Sequence, residues 1–359
     1  MKKQHVFVLV VLWAVLTGFA WFSPAKEMSG SERRPLAQFP GVSLESVTDG
    51  KFMKNFESYS LDQFPLRDGF RTIKSLFHYQ VLGQKDNNGI YVQDGYAAKQ
   101  EYPLNVDSVN HALERFHHIY EQYLAGSKVY MTVVPDKGYY LAEQAGQLSL
   151  DYEALYSMME SGMPWAQHID LRDALTLTDY YRTDTHWRQE NLFSAARTIC
   201  DALGVSTPEQ IRAAVLDRPF YGVYCGQAAL PMEPDTLAVL DMDYLEDCTV
   251  YDHETGKNGS VYDMTKLNSR DLYDVYLSGA RALLTIDNPN GKAGKELIVF
   301  RDSFGSSMVP LLIQDYSKVT LVDTRYLSSD LLDQFIDFHG QDVLFLYSAL
   351  ILNSSSAIK

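Results

Sequence analysis

The pattern of apolar and polar positions divides the chain into stretches of different character. No charged residue falls between Lys3 and Lys26, and Val6–Phe22 is uninterrupted apolar or small sequence of 17 residues. As a helix that run would be about 25 Å long, at the short end for a bilayer core of ~30 Å. Residues 26–40 are polar and carry Pro35 and Pro40, the pattern of a linker. Over 41–100 apolar residues recur near helical spacing up to a break at Pro65, and NNGIYVQDGY predicts a hairpin. Val109, Ala112, Leu113, Phe116, Ile119, Tyr120 and Tyr123 follow i, i+3, i+4, i+7 spacing and predict a helix over Asp107–Leu124, capped by Asp107 or Ser108.

Further on, short continuous apolar runs alternate with helical patterns. The runs are KVYMTVV (128–134), ELIVF (296–300), KVTLV (318–322) and DVLFLY (342–347). Helical patterns fall at 192–203, closed by Gly204, at 304–316, broken by Pro310, and at 331–338. Strands that are apolar on both faces and joined by helices predict a mostly parallel sheet covered on both sides, an α/β fold. In such sheets ligands bind at the carboxyl ends of the strands, so the residues just after each run are the first place to look for chemistry.

Composition narrows the function classes. The net charge is −15 with no Lys/Arg cluster, which argues against nucleic acid and against broad adhesion to anionic lipid. Lys2 and Lys3 precede the apolar run, so the positive-inside rule puts the bulk of the chain outside the cytoplasm. The run serves as a cleaved signal peptide or as an uncleaved anchor, and its length exceeds a usual signal core. The three cysteines allow at most one internal bridge; Cys200 falls in a helical pattern, and Cys225–Cys248 is the preferred pair. No His/Cys group has metal-ligand spacing, so no metal and no cofactor is expected.

Two short segments carry candidate chemistry. After ELIVF comes Arg301-Asp302-Ser303-Phe304-Gly305, a serine at the turn from a buried strand to a helix. That place suits a nucleophile, with free N–H groups of the helix start near its Oγ. The local pattern alone favours a helix cap, since Asp and Ser are favoured N-cap residues. The second segment is Tyr181-Arg182-Thr183-Asp184-Thr185-His186-Trp187. Asp and His two apart in an extended segment face one side, so the carboxylate can brace an imidazole that serves a serine as base. Capping by Thr183 or Asp184 accounts for the Asp but not for the adjoining His and Trp.

YYRTDTHW, IVFRDSFGSSMVPLL, VTLVDTRYL and DVLFLY, in that order, resemble the DHHW family and the related alginate O-acetyltransferases, which have an SGNH-hydrolase-like domain. The likeness extends to NNGIYVQDGY and VVPDKGYY. It implies a three-layer SGNH-like domain with its motif order permuted, Asp-x-His before Ser, and a triad of Asp184, His186 and Ser303. Thr185 stands where the family signature has a second His, and Arg301 stands two before the serine, where SGNH enzymes favour Gly. The Gly and Asn blocks of the SGNH oxyanion hole are not recognisable. Ser303 N–H and Gly222 are the oxyanion candidates, beside the alternative that Tyr221-Gly222 is an ordinary turn. Arg325, Tyr326, Trp187 and Tyr221 are substrate-binding candidates, with a surface ion pair to Asp323 as the alternative for Arg325 and core packing for Trp187.

The expected organisation is an anchor or signal peptide at 1–25, a linker at 26–40, an N-terminal extension at 41–100 and the catalytic domain at 101–359. The expected function is extracytoplasmic O-acetylation of a cell-surface or secreted polysaccharide through an acetyl-serine. The resemblance implies a partner, a multi-pass membrane acyltransferase supplying acetyl groups. An esterase using the same triad and a non-catalytic surface scaffold are the alternatives.

Overall fold

The computed structural model describes residues 3–208 and 212–359, without the side chains of Lys3 and Trp21. Backbone contacts divide the chain into two compact units, 1–88 with 225–232, and 89–224 with 233–359. The hairpin at 90–99 falls in the second unit. The first unit is helical, with α1 (Lys3–Phe22), α2 (Lys51–Asp62) and α3 (Arg67–Leu76), which runs into a π-helical turn at Phe77–Val81. The apolar side chains of α1 are exposed. Among the described residues no helix is long and apolar enough to cross a membrane.

The second unit is built on an eight-stranded sheet. Its helices include α4 (Val106–Tyr123), α5 (Lys137–Leu141), α6 (Tyr152–Gly162), α7 (Phe193–Leu203) and α8 (Phe304–Met308). The strands of the sheet are β1 (Lys128–Val134), β2 (Gln167–His168), β3 (Thr249–Asp252), β4 (Lys257–Gly259), β5 (Leu283–Asp287), β6 (Lys292–Arg301), β7 (Tyr316–Val322) and β8 (Asp342–Ser348). Their order is β4-β3-β5-β7-β6-β8-β1-β2. The run β7-β6-β8-β1-β2 is parallel, and β5, β3 and β4 add antiparallel at one edge.

Alternate residues of the central strands serve two cores. Leu297, Val299, Leu344 and Leu346 pack with α7 and the 304–313 segment on one face. Ile298, Phe300, Val343 and Phe345 pack with α4 and α6 on the other. With no wet face, the central strand positions are mostly apolar, which is why these strands lack alternation. The result is the expected three-layer α/β arrangement.

The differences from expectation are local. α4 starts at Val106 with Asn105 as its cap, its side chain accepting from Ser108 N at 3.1 Å, not with Asp107 or Ser108. The pattern at 304–316 becomes α8 plus a 3-10 turn at Val309–Leu311, and that at 331–338 becomes a 3-10 turn at Ser329–Gln334. None of the three cysteines is disulfide-bonded in the structure: the thiols of Cys225 and Cys248 each donate to a local carbonyl, of Leu230 and Tyr244. The expected Cys225–Cys248 bridge does not form.

Candidate active site

The site lies at the carboxyl end of β6, where the sheet rule directs it. After Arg301 the chain turns through Asp302 and Ser303 into α8. Asp302 is fully buried and holds this turn from both sides. Its Oδ1 accepts from Phe304 N at 2.9 Å, and its Oδ2 accepts from Ser348 N at 2.8 Å and Ser348 Oγ at 2.6 Å. Asp302 therefore does the capping, and the Ser303 side chain makes no cap bond. The cap is thus Asp302, and the Ser303 hydroxyl is not used by it.

Ser303 Oγ lies 2.8 Å from His186 Nε2, and His186 Nδ1 lies 2.6 Å from Asp184 Oδ1. In the tautomer with the proton on Nδ1, the carboxylate accepts from Nδ1–H and Nε2 accepts from the serine hydroxyl. Asp184 is fully buried, and its second oxygen accepts from Val223 N at 2.9 Å. The segment bearing the base is a tight loop, not an extended stretch: Tyr180 and Trp187 bridge antiparallel, and Tyr181 N donates to His186 O at 3.1 Å. Asp184 and His186 still meet, because Asp184 Oδ1 also accepts from His186 N at 3.1 Å, an Asx-type turn.

Several surrounding groups had no signal in the sequence. Tyr273 stacks on the His186 ring, centroids 3.8 Å apart and planes 7° from parallel, and its hydroxyl lies 2.7 Å from Ser307 Oγ. Asp235 accepts from Arg182 N, Thr183 N and Thr183 Oγ1 at 2.9, 2.8 and 2.6 Å, fixing the loop from below. Lys137, fully buried at the start of α5, donates its ammonium to Tyr181 O at 2.8 Å and Arg182 O at 3.2 Å. Burial pushes this lysine down to about 7, against the pull of Asp184, Asp235 and Asp136. Asp136 beside it is pushed up by burial, although Tyr152 Oη and Gly138 N donate to it. An isolated lysine or aspartate carries no motif, so only the fold brings these two to the loop.

The remaining expected residues divide. Trp187 is fully buried, and its Nε1–H donates to Ser307 Oγ at 2.8 Å and Phe304 O at 3.2 Å. It is core, not a substrate wall, and it ties the loop of Asp184 and His186 to α8. Gly222 is not an oxyanion donor, because its N–H donates to Thr183 Oγ1 at 2.8 Å. The glycine is needed for close approach instead: a Cβ there would sit 2.3 Å from Asp184 Cα. Ser303 N–H has no acceptor among the described residues, whereas Phe304 N and Gly305 N are both bonded to Asp302. Thr185, in place of the family's second His, turns its hydroxyl to Tyr224 Oη at 3.0 Å, away from the base.

Arg325 grips Asp323 through Nε at 2.8 Å and Nη2 at 2.6 Å, the ion-pair alternative. Asp323 in turn faces the buried Arg301 at 3.9 Å. Arg301 spans beneath α8, with Nη1 bonded to Ser306 Oγ at 3.1 Å, and burial pulls its affinity for the proton down. Tyr221 and Tyr326 are half exposed, at 54% and 53%, so both rings are open to solvent.

Comparison with known proteins agrees with this architecture. Residues 154–322 match the family model described as DHHW protein. No curated protein matches the chain. A DHHW family protein from Eubacterium siraeum DSM 15702 superposes with a TM-score of 0.62 at 22% identity, over 76% of this chain and 95% of that one. Bacillus cereus PatB1 bearing a sulfonyl adduct gives 0.58 at 16% identity, over 75% and 96%. PatB1 without the adduct gives 0.54 at 17%, over 73% and 96%. These are likenesses of fold. Residues 154–322, which hold Asp184, His186 and Ser303, match the DHHW model, and the solved structures share with the chain a three-layer α/β fold.

Proposed function

We propose that the protein is an extracytoplasmic serine O-acetyltransferase that modifies hydroxyls of a cell-surface or secreted polysaccharide. The observation that carries this reading is the relay Asp184–His186–Ser303, with consecutive gaps of 2.6 and 2.8 Å. A buried carboxylate, an oriented imidazole and a serine outside any capping role form a nucleophile–base pair. The motif order, Asp-x-His before Ser, supports acetyl transfer through the resemblance to alginate O-acetyltransferases. A fold relative, PatB1, exists with a sulfonyl adduct.

In this reading Ser303 Oγ attacks the carbonyl carbon of an acetyl donor as its proton moves to His186 Nε2. Asp184 stabilises the imidazolium, and Ser303 N–H faces the developing oxyanion. The tetrahedral intermediate collapses, the donor's leaving group takes the proton from Nε2, and acetyl-Ser303 remains. A sugar hydroxyl then gives its proton to Nε2 and attacks the acetyl carbonyl. The second intermediate releases the acetylated sugar, and Nε2 returns the proton to Ser303 Oγ. Tyr221 and Tyr326 offer exposed rings to sugar faces. The apolar N-terminal run behind Lys2 and Lys3 keeps the domain on the outer side of the membrane, where a multi-pass acyltransferase would supply acetyl groups.

The test uses purified protein, an activated acetyl ester and acetyl-free oligosaccharide. The acetylated oligosaccharide is expected to accumulate, and Ser303→Ala is expected to lower its rate by about 10⁴-fold or more. Hydrolysis of the ester at a rate unmoved by oligosaccharide, with no acetylated sugar, would identify an esterase instead. Full polysaccharide acetylation in cells carrying only the Ser303→Ala chain would refute the catalytic assignment.

A further inference from the structure

The helical first unit exposes an ordered apolar stripe. Leu66, Phe70, Ile73, Phe77 and Val81 stand at steps of four, three, four and four along α3 and the π-helical turn, and each is 46–74% exposed. These steps put all five within one narrow sector of the helix surface. The opposite side is tied down: Ser75 Oγ donates to Ala228 O at 2.8 Å, and Arg71 Nη2 donates to Gly226 O and Gln227 O at 3.0 and 3.1 Å. The stripe is therefore not a core face awaiting its own unit, since that unit already uses the other face.

Two observations name what covers it. The first is charge. Residues 1–88 carry 11 Lys/Arg against 8 Asp/Glu, while the remaining residues carry 20 against 38. The unit with the stripe is the cationic part of an anionic protein. Lys74, beside the stripe, is exposed and makes no ion pair among the described residues. The second observation is position. Phe19 and Ser23 of the α1 end line one cavity, of about 740 Å³, with Phe64, Leu66 and Arg67 of the α3 start. The stripe thus begins where the exposed apolar α1 ends. Arg67 and Arg71 are held by Glu32 at 2.6 and 3.2 Å, which leaves Lys74 as the cation at the margin; an apolar helix next to an amphipathic one with a basic margin is the arrangement of a membrane-interface element.

We propose that the Leu66–Val81 stripe lies in the interface of an anionic lipid bilayer, a second membrane contact beside α1. The acyl-transfer chemistry is independent of it. A stripe in that position fixes the first unit to the membrane plane, which an apolar tail alone would leave free to swivel.

The full chain bearing Ile73→Cys, labelled with a polarity-sensitive fluorophore, tests this with vesicles of phosphatidylcholine with and without phosphatidylglycerol. The unsubstituted chain serves as the labelling blank for the native thiols, and Val10→Cys reports α1 in the same vesicles. With phosphatidylglycerol, emission at Ile73 is expected to shift blue and to be quenched several-fold by lipid-borne doxyl groups. That quenching is expected to weaken when phosphatidylglycerol is omitted or salt is raised. Water-like emission at Ile73 in phosphatidylglycerol vesicles overturns the proposal, whatever Val10 shows. So does emission already blue-shifted before lipid is added, because protein would then cover the stripe.

Discussion

Ser307 Oγ receives the indole N–H of Trp187 and pairs with the hydroxyl of Tyr273, and these two rings brace the loop and the imidazole of the relay. Trp187→Phe keeps an aromatic ring in the core and removes the donor. It is expected to cost about 1–2 kcal/mol in urea unfolding, from polar atoms left unpaired in the core. The acetylation rate should fall further than stability does, because a base displaced by even 1 Å can lose about 10²-fold. The residue scale is also where sequence reasoning reached furthest and then stopped. It named Asp184, His186 and Ser303, since each lies in a short motif at a place the fold rule marks. It could not say which residue caps the turn, because Asp302 and Ser303 are both good caps, and only the bonds of Asp302 to Phe304 and Ser348 settle that. Tyr273, Asp235 and Lys137 reach the loop through tertiary contacts from distant segments, and single residues without a motif give no signal.

At the scale of elements, the strand runs were legible because both faces of the sheet are covered, and continuous apolar sequence is the mark of that. Helix ends and short helices were less so. Helical spacing alone cannot tell α8 from the 3-10 turn that comes after it, and the side chain of Asn105 outcompeted the expected caps of α4. Close approaches were invisible. A Cβ on Gly305 would stand 2.7 Å from Arg301 Cβ, and one on Gly222 would stand 2.3 Å from Asp184 Cα. Gly305→Ala is expected to push α8 off β6, at a cost of about 1–3 kcal/mol in thermal unfolding. Gly222→Ala meets backbone and should abolish acetylation in whatever fraction still folds, measured against near-UV circular dichroism of the same sample. If Gly222→Ala retained full activity, the loop would not be held as described.

For the whole molecule, the buried lysine makes stability depend on pH. Lys137 loses its proton near 7 in the folded chain and near its ordinary value of about 10.4 when unfolded. Between those values the unfolded state binds more protons, so stability gained from this site rises with pH across that window and is absent below it. The denaturation midpoint in urea should therefore rise less between pH 7 and pH 9 for Lys137→Met than for the natural chain, even if the variant is weaker throughout. An equal rise in both would show that Lys137 stays charged in the fold. The same scale carries the division of charge between the two units, which net charge alone concealed: a chain of −15 has a cationic helical part.

The chemistry of the whole molecule rests on Ser303 being a nucleophile whose proton goes to an imidazole braced by Asp184. Peptide mass spectrometry after brief exposure of the folded protein to an aryl sulfonyl fluoride tests this most directly. One adduct is predicted, on Ser303, absent from protein unfolded in urea and slowed by orders of magnitude in His186→Ala. An unmodified Ser303, or modification that persists unchanged in His186→Ala, would contradict it.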